Sequence, residues 1–234
     1  MKFFTFKQFR ITDDWSAMKV GTDSVILASW VQIENTKTVL DIGCGSGLLS
    51  IMLAQRISDA DIIGVEIDAD SAKDCEINIE NAPWRERLKI LRVDIRDYNP
   101  KVKFDMIISN PPFFTNSLLP PKDARARARH DSELHLEELL ISVSRLLERE
   151  GVFAIVFPYL REKELLSEAE KYGLYPFRVL RTKNNPDAVL KRSFIAFRKH
   201  SNVQWEEEIM EIRSKQNIYS SAYKELTKDF YLNF

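Results

Sequence analysis

From Thr38 onward the chain alternates short β-prone runs with stretches of helical periodicity, and this alternation restricts it to very few architectures. Val39 to Gly43, Ile62 to Ile67, Leu88 to Val93 and Phe104 to Ser109 read as strands, as do Gly151 to Phe157, Tyr175 to Leu180 and Val189 to Arg198. Leu48 to Ile57, Ala69 to Asn81, Leu134 to Leu147 and Arg161 to Tyr172 read as helices between them. Parallel neighbours need long crossovers, so the pattern predicts an α/β fold with a mostly parallel sheet of seven strands and helices on both faces. No helical pattern separates the final two strands, which predicts an antiparallel last strand. Ligands of such sheets sit outside the carboxyl ends of the strands. Asp41–Gly47, Glu66, Asp94 and Asn110 all fall at those ends.

The fourth strand stops at Asn110-Pro111-Pro112-Phe113-Phe114. Neither proline can donate to a ladder, and Asn110 is held extended by the proline after it. The stretch can be a rigid loop with an aromatic plug. It also suits a flat, amine-bearing substrate, whose exocyclic NH2 would donate to the Asn110 side chain and the Pro111 carbonyl while Phe113 stacks on the ring. At the first strand end, Asp41-Ile42-Gly43-Cys44-Gly45-Ser46-Gly47 allows a tight turn and close backbone approach to a ligand. A dinucleotide fingerprint is absent, because Leu48 or Ser50 occupies the third glycine position. That disfavours a nicotinamide-dependent oxidoreductase. Glu66 is placed to take ribose hydroxyls. Asp94 could accept from an adenine amine, with Ile67 and Ile95 sandwiching the ring.

With 234 residues, 44% of them apolar and 29% charged, the chain has the size and composition of one globular domain. No apolar run reaches the length of a membrane span, and Met1 to Lys7 lacks the apolar region of a signal peptide, which predicts a cytoplasmic protein. Cys44 and Cys75 lack Cys-x-x-Cys spacing, and His130, His135 and His200 are scattered. Free thiols and no metal site are therefore expected. The net charge is −1, yet basic residues cluster. Arg125, Arg127 and Arg129 alternate, so on an extended loop they would share one side and follow a phosphate backbone. A mobile loop between Thr115 and Asp131 that orders on RNA is expected. A second cluster includes Arg178, Arg181, Lys183, Lys191, Arg192, Arg198 and Lys199.

Residues 1–12 read as a short strand or extended arm, and Thr22 as the N-cap of a helix carrying Val25, Ile26 and Trp30. Residues 1–37 form an N-terminal segment expected to close over a cofactor site, 38–200 the core, and 201–234 a helical extension. Within that extension Trp205 to Ile212 looks helical.

Asp41-x-Gly43-x-Gly45-x-Gly47 resembles the cofactor loop of the class I S-adenosylmethionine-dependent methyltransferases, and Asn110-Pro111-Pro112-Phe113 their amino-methyltransferase motif. Phe6 to Phe9, Ala17-Met18-Lys19-Val20-Gly21-Thr22-Asp23, Ala128-Arg129-His130 and Leu226 to Tyr231 are similar to the tRNA1(Val) adenine-37 N6-methyltransferases. The resemblance implies a Rossmann-like fold, S-adenosyl-L-methionine as cofactor, and the anticodon loop of tRNA as partner. It implies that Asp41, Gly43 and Gly45 line the methionine part, Glu66 the ribose, and Asp94 with Ile95 the adenine. Lys19, Gly21 and Thr22 would close over them. Asn110, Pro111, Pro112 and Phe113 would carry catalysis, with Phe113, Phe114 and the three alternating arginines on the substrate. The Asn-Pro-Pro-Phe motif is shared with enzymes that act on guanine N2 of ribosomal RNA or on protein glutamine, which are the rival readings. A non-catalytic RNA-binding module is a further rival, disfavoured because Asp41, Glu66, Asp94 and Asn110 are all intact.

Overall fold

The computed structural model describes residues 1–112, 134–201 and 205–233. A two-stranded hairpin, β1 (Phe4–Thr5) and β2 (Arg10–Ile11), precedes the main sheet. That sheet contains β3 (Thr38–Ile42), β4 (Asp61–Glu66), β5 (Leu88–Arg92), β6 (Phe104–Ser109), β7 (Leu147–Pro158), β8 (Tyr175–Lys183), β9 (Arg192–Arg198) and β10 (Glu206–Glu211). Their order is β10-β8-β9-β7-β6-β3-β4-β5. Among the described residues β9 alone runs against its neighbours, pairing antiparallel with β7 and β8.

The chain leaves β3 towards β4 and β5, then returns to place β6 on the other side of β3. The β3–β6 boundary is therefore the topological switch point, where a crevice must open because the following segments depart in opposite directions. Asp105 fixes the register there, since its carboxylate accepts from Thr38 N at 3.0 Å and Thr38 Oγ1 at 3.1 Å. Met106, Ile107 and Ile108 are fully buried, as a central strand covered on both faces requires.

Three helices, α1 (Thr22–Trp30), α2 (Leu48–Arg56) and α3 (Ala69–Glu80), cover one face together with the N-terminal arm. The other face carries α4 (Leu136–Leu146) and α5 (Glu162–Lys171). The sheet alternation sorts β3 between the two layers, with Val39 on the first and Leu40 and Ile42 on the second. Arginines close two helix ends: Arg56 donates to the Ala28 and Val31 carbonyls after α1, and Arg87 to the Ala54, Ile57 and Ala60 carbonyls after α2. None of the helices in the described residues is long and apolar enough to cross a membrane.

The structure departs from the sequence expectations at the C-terminal end. Trp205 to Ile212 is not helical, and Glu206–Glu211 forms the eighth strand, parallel to β8. The predicted antiparallel pair is therefore capped by one more strand. Glutamates are helix formers in isolation, but here they meet cations on the neighbouring strand. Arg178 pairs with Glu208 at 2.9 Å, Arg181 with Glu207 at 2.8 Å and Lys183 with Glu211 at 3.2 Å. Arg181 also forms a two-pronged pair with the buried Glu162, at 2.8 and 2.7 Å. These partners spend much of the second basic cluster inside the protein. A short last helix, α6 (Ser221–Thr227), follows and buries Tyr223 and Thr227. At the other end, Thr22 is the first residue of α1 and Gly21 takes the N-cap position, with no side-chain cap.

Gly64, in the middle of β4, lies under the turn that follows β3. A Cβ there would stand 2.8 Å from Cys44 Sγ and 3.0 Å from Cys44 Cβ. We expect Gly64→Ala to cost about 1–3 kcal/mol by overpacking, read from urea denaturation. Cys44→Ala in the same chain should recover part of the loss, because it removes the nearer clash.

Candidate active site

Parallel pairing sets the ends of β3, β4, β5 and β6 level: Ile42 lies opposite Val65 and Ser109, and Glu66 opposite Arg92. The residues that follow each strand therefore converge on one edge. Gly43 (φ 67°), Gly45 (φ 53°) and Gly47 (φ 80°) all take left-handed backbone, which accounts for three glycines in five positions. The loop folds back onto β4, with Gly43 N and Cys44 N donating to the Val65 carbonyl at 2.9 and 3.1 Å. A Cβ at Gly43 or Gly45 would meet nothing within 4 Å, so this backbone borders open space. Gly47 is different, because a Cβ would strike Cys75 Sγ at 2.7 Å. Cys44 and Cys75 are free thiols that face each other at 3.9 Å.

Asp41 is completely buried on the α2 side of β3. Its Oδ2 accepts from Ser50 N at 3.1 Å and Ser50 Oγ at 2.7 Å, so it serves the open N-terminal turn of α2. Oδ1 has no partner among the described residues. Burial pushes the Asp41 carboxyl up to about 7 against the opposing pull of the Ser50 hydrogen bonds. Glu66, half-buried, accepts from Gly45 N at 3.0 Å and Asp68 N at 2.9 Å, which ties the loop to the end of β4.

Asp94 is gripped by Arg96, whose Nε lies 3.0 Å from both carboxylate oxygens. The guanidinium holds the Asp94 carboxyl below its ordinary value. Arg96 also reaches Glu138 at 3.1 Å, fastening this tip to the first turn of α4. Ile67 stands exposed after β4, whereas Ile95 is buried in the second core layer. Of the expected pair, only Ile67 is open for ring stacking.

The N-terminal segment is pinned to this edge by α3. Asp74 Oδ2 accepts from Trp15 N, Ser16 N and Ser16 Oγ at 2.9, 2.7 and 2.7 Å. Asn78 accepts from Thr12 N at 2.8 Å and donates to the Thr12 and Ser46 carbonyls at 2.7 and 2.8 Å. One amide thus joins the arm to the glycine loop. Lys19 donates to the Asp13 carbonyl and, at 3.3 Å, to that of Asp14, closing the arm into a compact loop.

Asn110 is 7% exposed, and its Nδ2 donates to Ser24 Oγ on α1 at 2.8 Å. Its Oδ1 is buried and has no partner among the described residues. Pro111 is buried and Pro112 exposed. Asn110 lines a cleft of about 210 Å³ together with Lys19, Gly21, Thr22, Ser24, Lys191 and others. Thus the N-terminal segment and the Asn-Pro-Pro strand end share one cavity. Phe113, Phe114, Arg125, Arg127 and Arg129 lie outside the described residues. Ser24, Ser50, Asp74, Asn78 and Arg96 were not singled out from the sequence. Polar Asp74 and Asn78, four apart in a helix with few large apolar residues, were the available signal.

Residues 12–168 match the methyltransferase small domain family. Over 233 residues, the tRNA1(Val) (adenine(37)-N6)-methyltransferase of Bacteroides thetaiotaomicron is 41% identical, covering 99% of this chain and 98% of the relative. The chain belongs to this methyltransferase family. The enzyme of the same name from Tolumonas auensis is 42% identical over 98% of this chain and 96% of its own length, and that from Flavobacterium psychrophilum 36% identical over 98% and 99%. Among solved structures, a predicted O-methyltransferase from Agrobacterium tumefaciens superposes with a TM-score of 0.71 at 16% identity, covering 89% of this chain and 96% of that one. A precorrin-6y C5,15-methyltransferase from Geobacter metallireducens gives 0.56 at 16% identity, over 80% and 96%. Both likenesses establish the fold of this methyltransferase, a Rossmann-like sheet.

The raised Asp41 value means that the folded methyltransferase favours the neutral acid. That contribution to stability is complete below about 4 and is lost as pH rises towards 7. Asp41→Asn should therefore gain stability relative to wild type at pH 8 and less, or none, at pH 5, read from urea midpoints at both pH values. Asn78→Ala removes three hydrogen bonds at a buried site and should cost about 2–4 kcal/mol. It should also raise the KM for the cofactor, because the glycine loop loses its tie to the arm.

Proposed function

We propose that this methyltransferase transfers a methyl group from S-adenosyl-L-methionine to the exocyclic N6 amine of adenine 37 in the anticodon loop of tRNA1(Val). The observation that carries the chemistry is Asn110. Its amide nitrogen is occupied by Ser24, and its oxygen is, among the described residues, a buried acceptor without a partner beside a cleft. A buried acceptor without a partner costs free energy, so its retention calls for a donor supplied by a ligand. The family names of relatives that align along nearly the whole chain supply the acceptor nucleotide.

The residues present fit the cofactor. Gly43 and Gly45 leave open space along their backbone, and Glu66 offers a carboxylate at the neighbouring strand end. Asp41, Gly43 and Gly45 would border its methionine part, Glu66 its ribose hydroxyls and Asp94 its adenine. Lys19, Gly21 and Thr22 would close over it from the arm. The cofactor, when bound, supplies an electrophilic methyl on a sulfonium. The chain's own part is orientation. Asn110 Oδ1 and the Pro111 carbonyl accept the two amine N–H groups and turn the nitrogen lone pair towards the methyl. Ser24 positions the Asn110 amide so that oxygen, not nitrogen, faces the amine. No base is needed before attack, because the acidity of the amine rises as the new bond forms. The gain comes from alignment and from placed dipoles. An unpaired anticodon-loop base enters such a pocket at little cost.

Transfer of radiolabelled methyl to unmodified tRNA, followed by nucleoside analysis, tests this reading. Label is expected in N6-methyladenosine; label in guanine or in protein glutamine would overturn it. Asn110→Ala should bind cofactor within about twofold of wild type yet lose roughly a hundredfold or more in kcat. Ser24→Ala should lower kcat by a smaller factor, with the KM for cofactor unchanged.

A further inference from the structure

The cleft at Asn110 does not end at the N-terminal arm. A second cleft, of about 300 Å³, adjoins it and shares Thr22, Asn184 and Ile212 with the first. Its walls are two chain reversals that the catalytic reading leaves unused. One is the β8–β9 connection. The other is a hairpin formed after β10, in which Arg213 bridges to Tyr219 and Ser214 N donates to the Ile218 carbonyl at 2.7 Å. Arg213 N donates to the Asn184 carbonyl at 2.8 Å, so the two reversals are joined at their base. Lys215 and Asp187 meet at 3.1 Å across their outer ends.

We propose that this second cleft holds a nucleotide flanking the target adenine on a single-stranded RNA. The inference rests on the functional reading above and extends it to how the substrate is selected. Four features support it. The Arg213 guanidinium lies 4.0 Å over the Tyr219 ring, and Tyr219 stacks on Tyr223 at 5.0 Å, so a layered stack ends in a flat cationic plane on the cleft wall. Unpaired RNA bases are held by such planes. Asn184, Asn185 and Asn217 line the same cleft, and amides match base edges in both donor and acceptor capacity. The side-chain amide of Asn184 makes no hydrogen bond within the described residues. Arg192 and Asp23 pair at 2.7 Å, so the two clefts together carry Lys19, Lys191 and Arg213 as an excess of positive charge, a balance suited to a phosphate backbone. A flat base can both stack on the guanidinium plane and pair with the neighbouring amides, a combination that peptide side chains use less fully, so RNA is favoured over protein as occupant. The C-terminal segment thereby becomes part of the RNA-binding surface.

The test compares Arg213→Ala, Asn184→Ala and Lys191→Ala with a control, Lys89→Ala, which removes an exposed charge on β5 at the far edge of the sheet. A fluorescently labelled, unmodified anticodon stem-loop serves as probe, read by anisotropy and by methyl transfer. Each groove variant should weaken stem-loop binding by roughly five- to fiftyfold. The loss should appear as a raised KM for RNA larger than any fall in kcat, with cofactor affinity unchanged. The control should match wild type. Unchanged stem-loop affinity in all three groove variants would overturn the proposal. Asn184 and Lys191 are exposed, so their variants remain informative if Arg213→Ala disturbs the hairpin. A wild-type protein that binds the stem-loop without methylating it would refute the functional reading alone. Anisotropy still decides the groove in that case.

Discussion

The pairing of β3 with β6 is the constraint on which the site depends. Two parallel strands lie side by side in mid-sheet, and the chain leads from β3 to β4 on one side and from β6 to β7 on the other, the arrangement that opens a crevice between two strand ends. Gly43 follows one strand and Asn110 the other. The two tips therefore stand side by side at this gap. The Asp105–Thr38 hydrogen bonds at the opposite end of the pair hold the register that keeps the two tips level. A slip of one residue would turn Asn110 to the other face of the sheet.

A second dependence runs through α3. The arm that lines the cleft is too short to hold itself in place, and its own hairpin joins only four residues. Its position comes from Phe6, Phe9 and Ile11 in the core and from the carboxylate and amide of Asp74 and Asn78. The same helix contributes Cys75 against Gly47. Glycine loop and arm are therefore set by one element, so the shape of the loop and the wall of the cleft depend on the same helix. Asp41 shows the cost of such a site. A buried carboxyl with one oxygen unpartnered among the described residues is poor for stability.

Charge is organised by the C-terminal strand. Arg178, Arg181 and Lys183 look from the sequence like a surface for phosphates, but β10 supplies a glutamate for each. Lys191, among the described residues of the cluster, stays exposed beside the first cleft, which Lys19 also lines, and Arg213 lines the second. The basic cluster is thus divided between a structural role and a binding role, and the division follows the strand register.

The order of strands and helices was legible in the sequence because hydrophobic period and turn residues act locally. Phe104–Ser109 was placed without error, and most other boundaries fell within a few residues. That Gly43, Glu66, Asp94 and Asn110 fall at strand ends was legible for the same reason: left-handed glycines, a proline stop and an acid after an apolar run are local signatures. Trp205 to Ile212 misled because glutamate-rich segments favour helix until a strand with matching cations lies alongside, and no local pattern reports that neighbour. Thr22 misled because a threonine before an apolar stretch is a good cap, yet the helix begins one residue earlier in the glycine's extended backbone. Ser24 beside Asn110 was illegible, since that contact joins elements far apart in the chain, whereas Ser50 beneath Asp41 and Arg96 on Asp94 are local contacts whose side-chain directions no hydrophobic pattern reports. The sequence by itself determined the alternation, the residues that end the strands and the family, all of which reside in neighbouring residues. Only the tertiary structure decided that the nitrogen rather than the oxygen of the Asn110 amide is occupied, which arginines of the second basic cluster are paired and where the second cleft lies, because those are set by contacts between segments far apart in the chain.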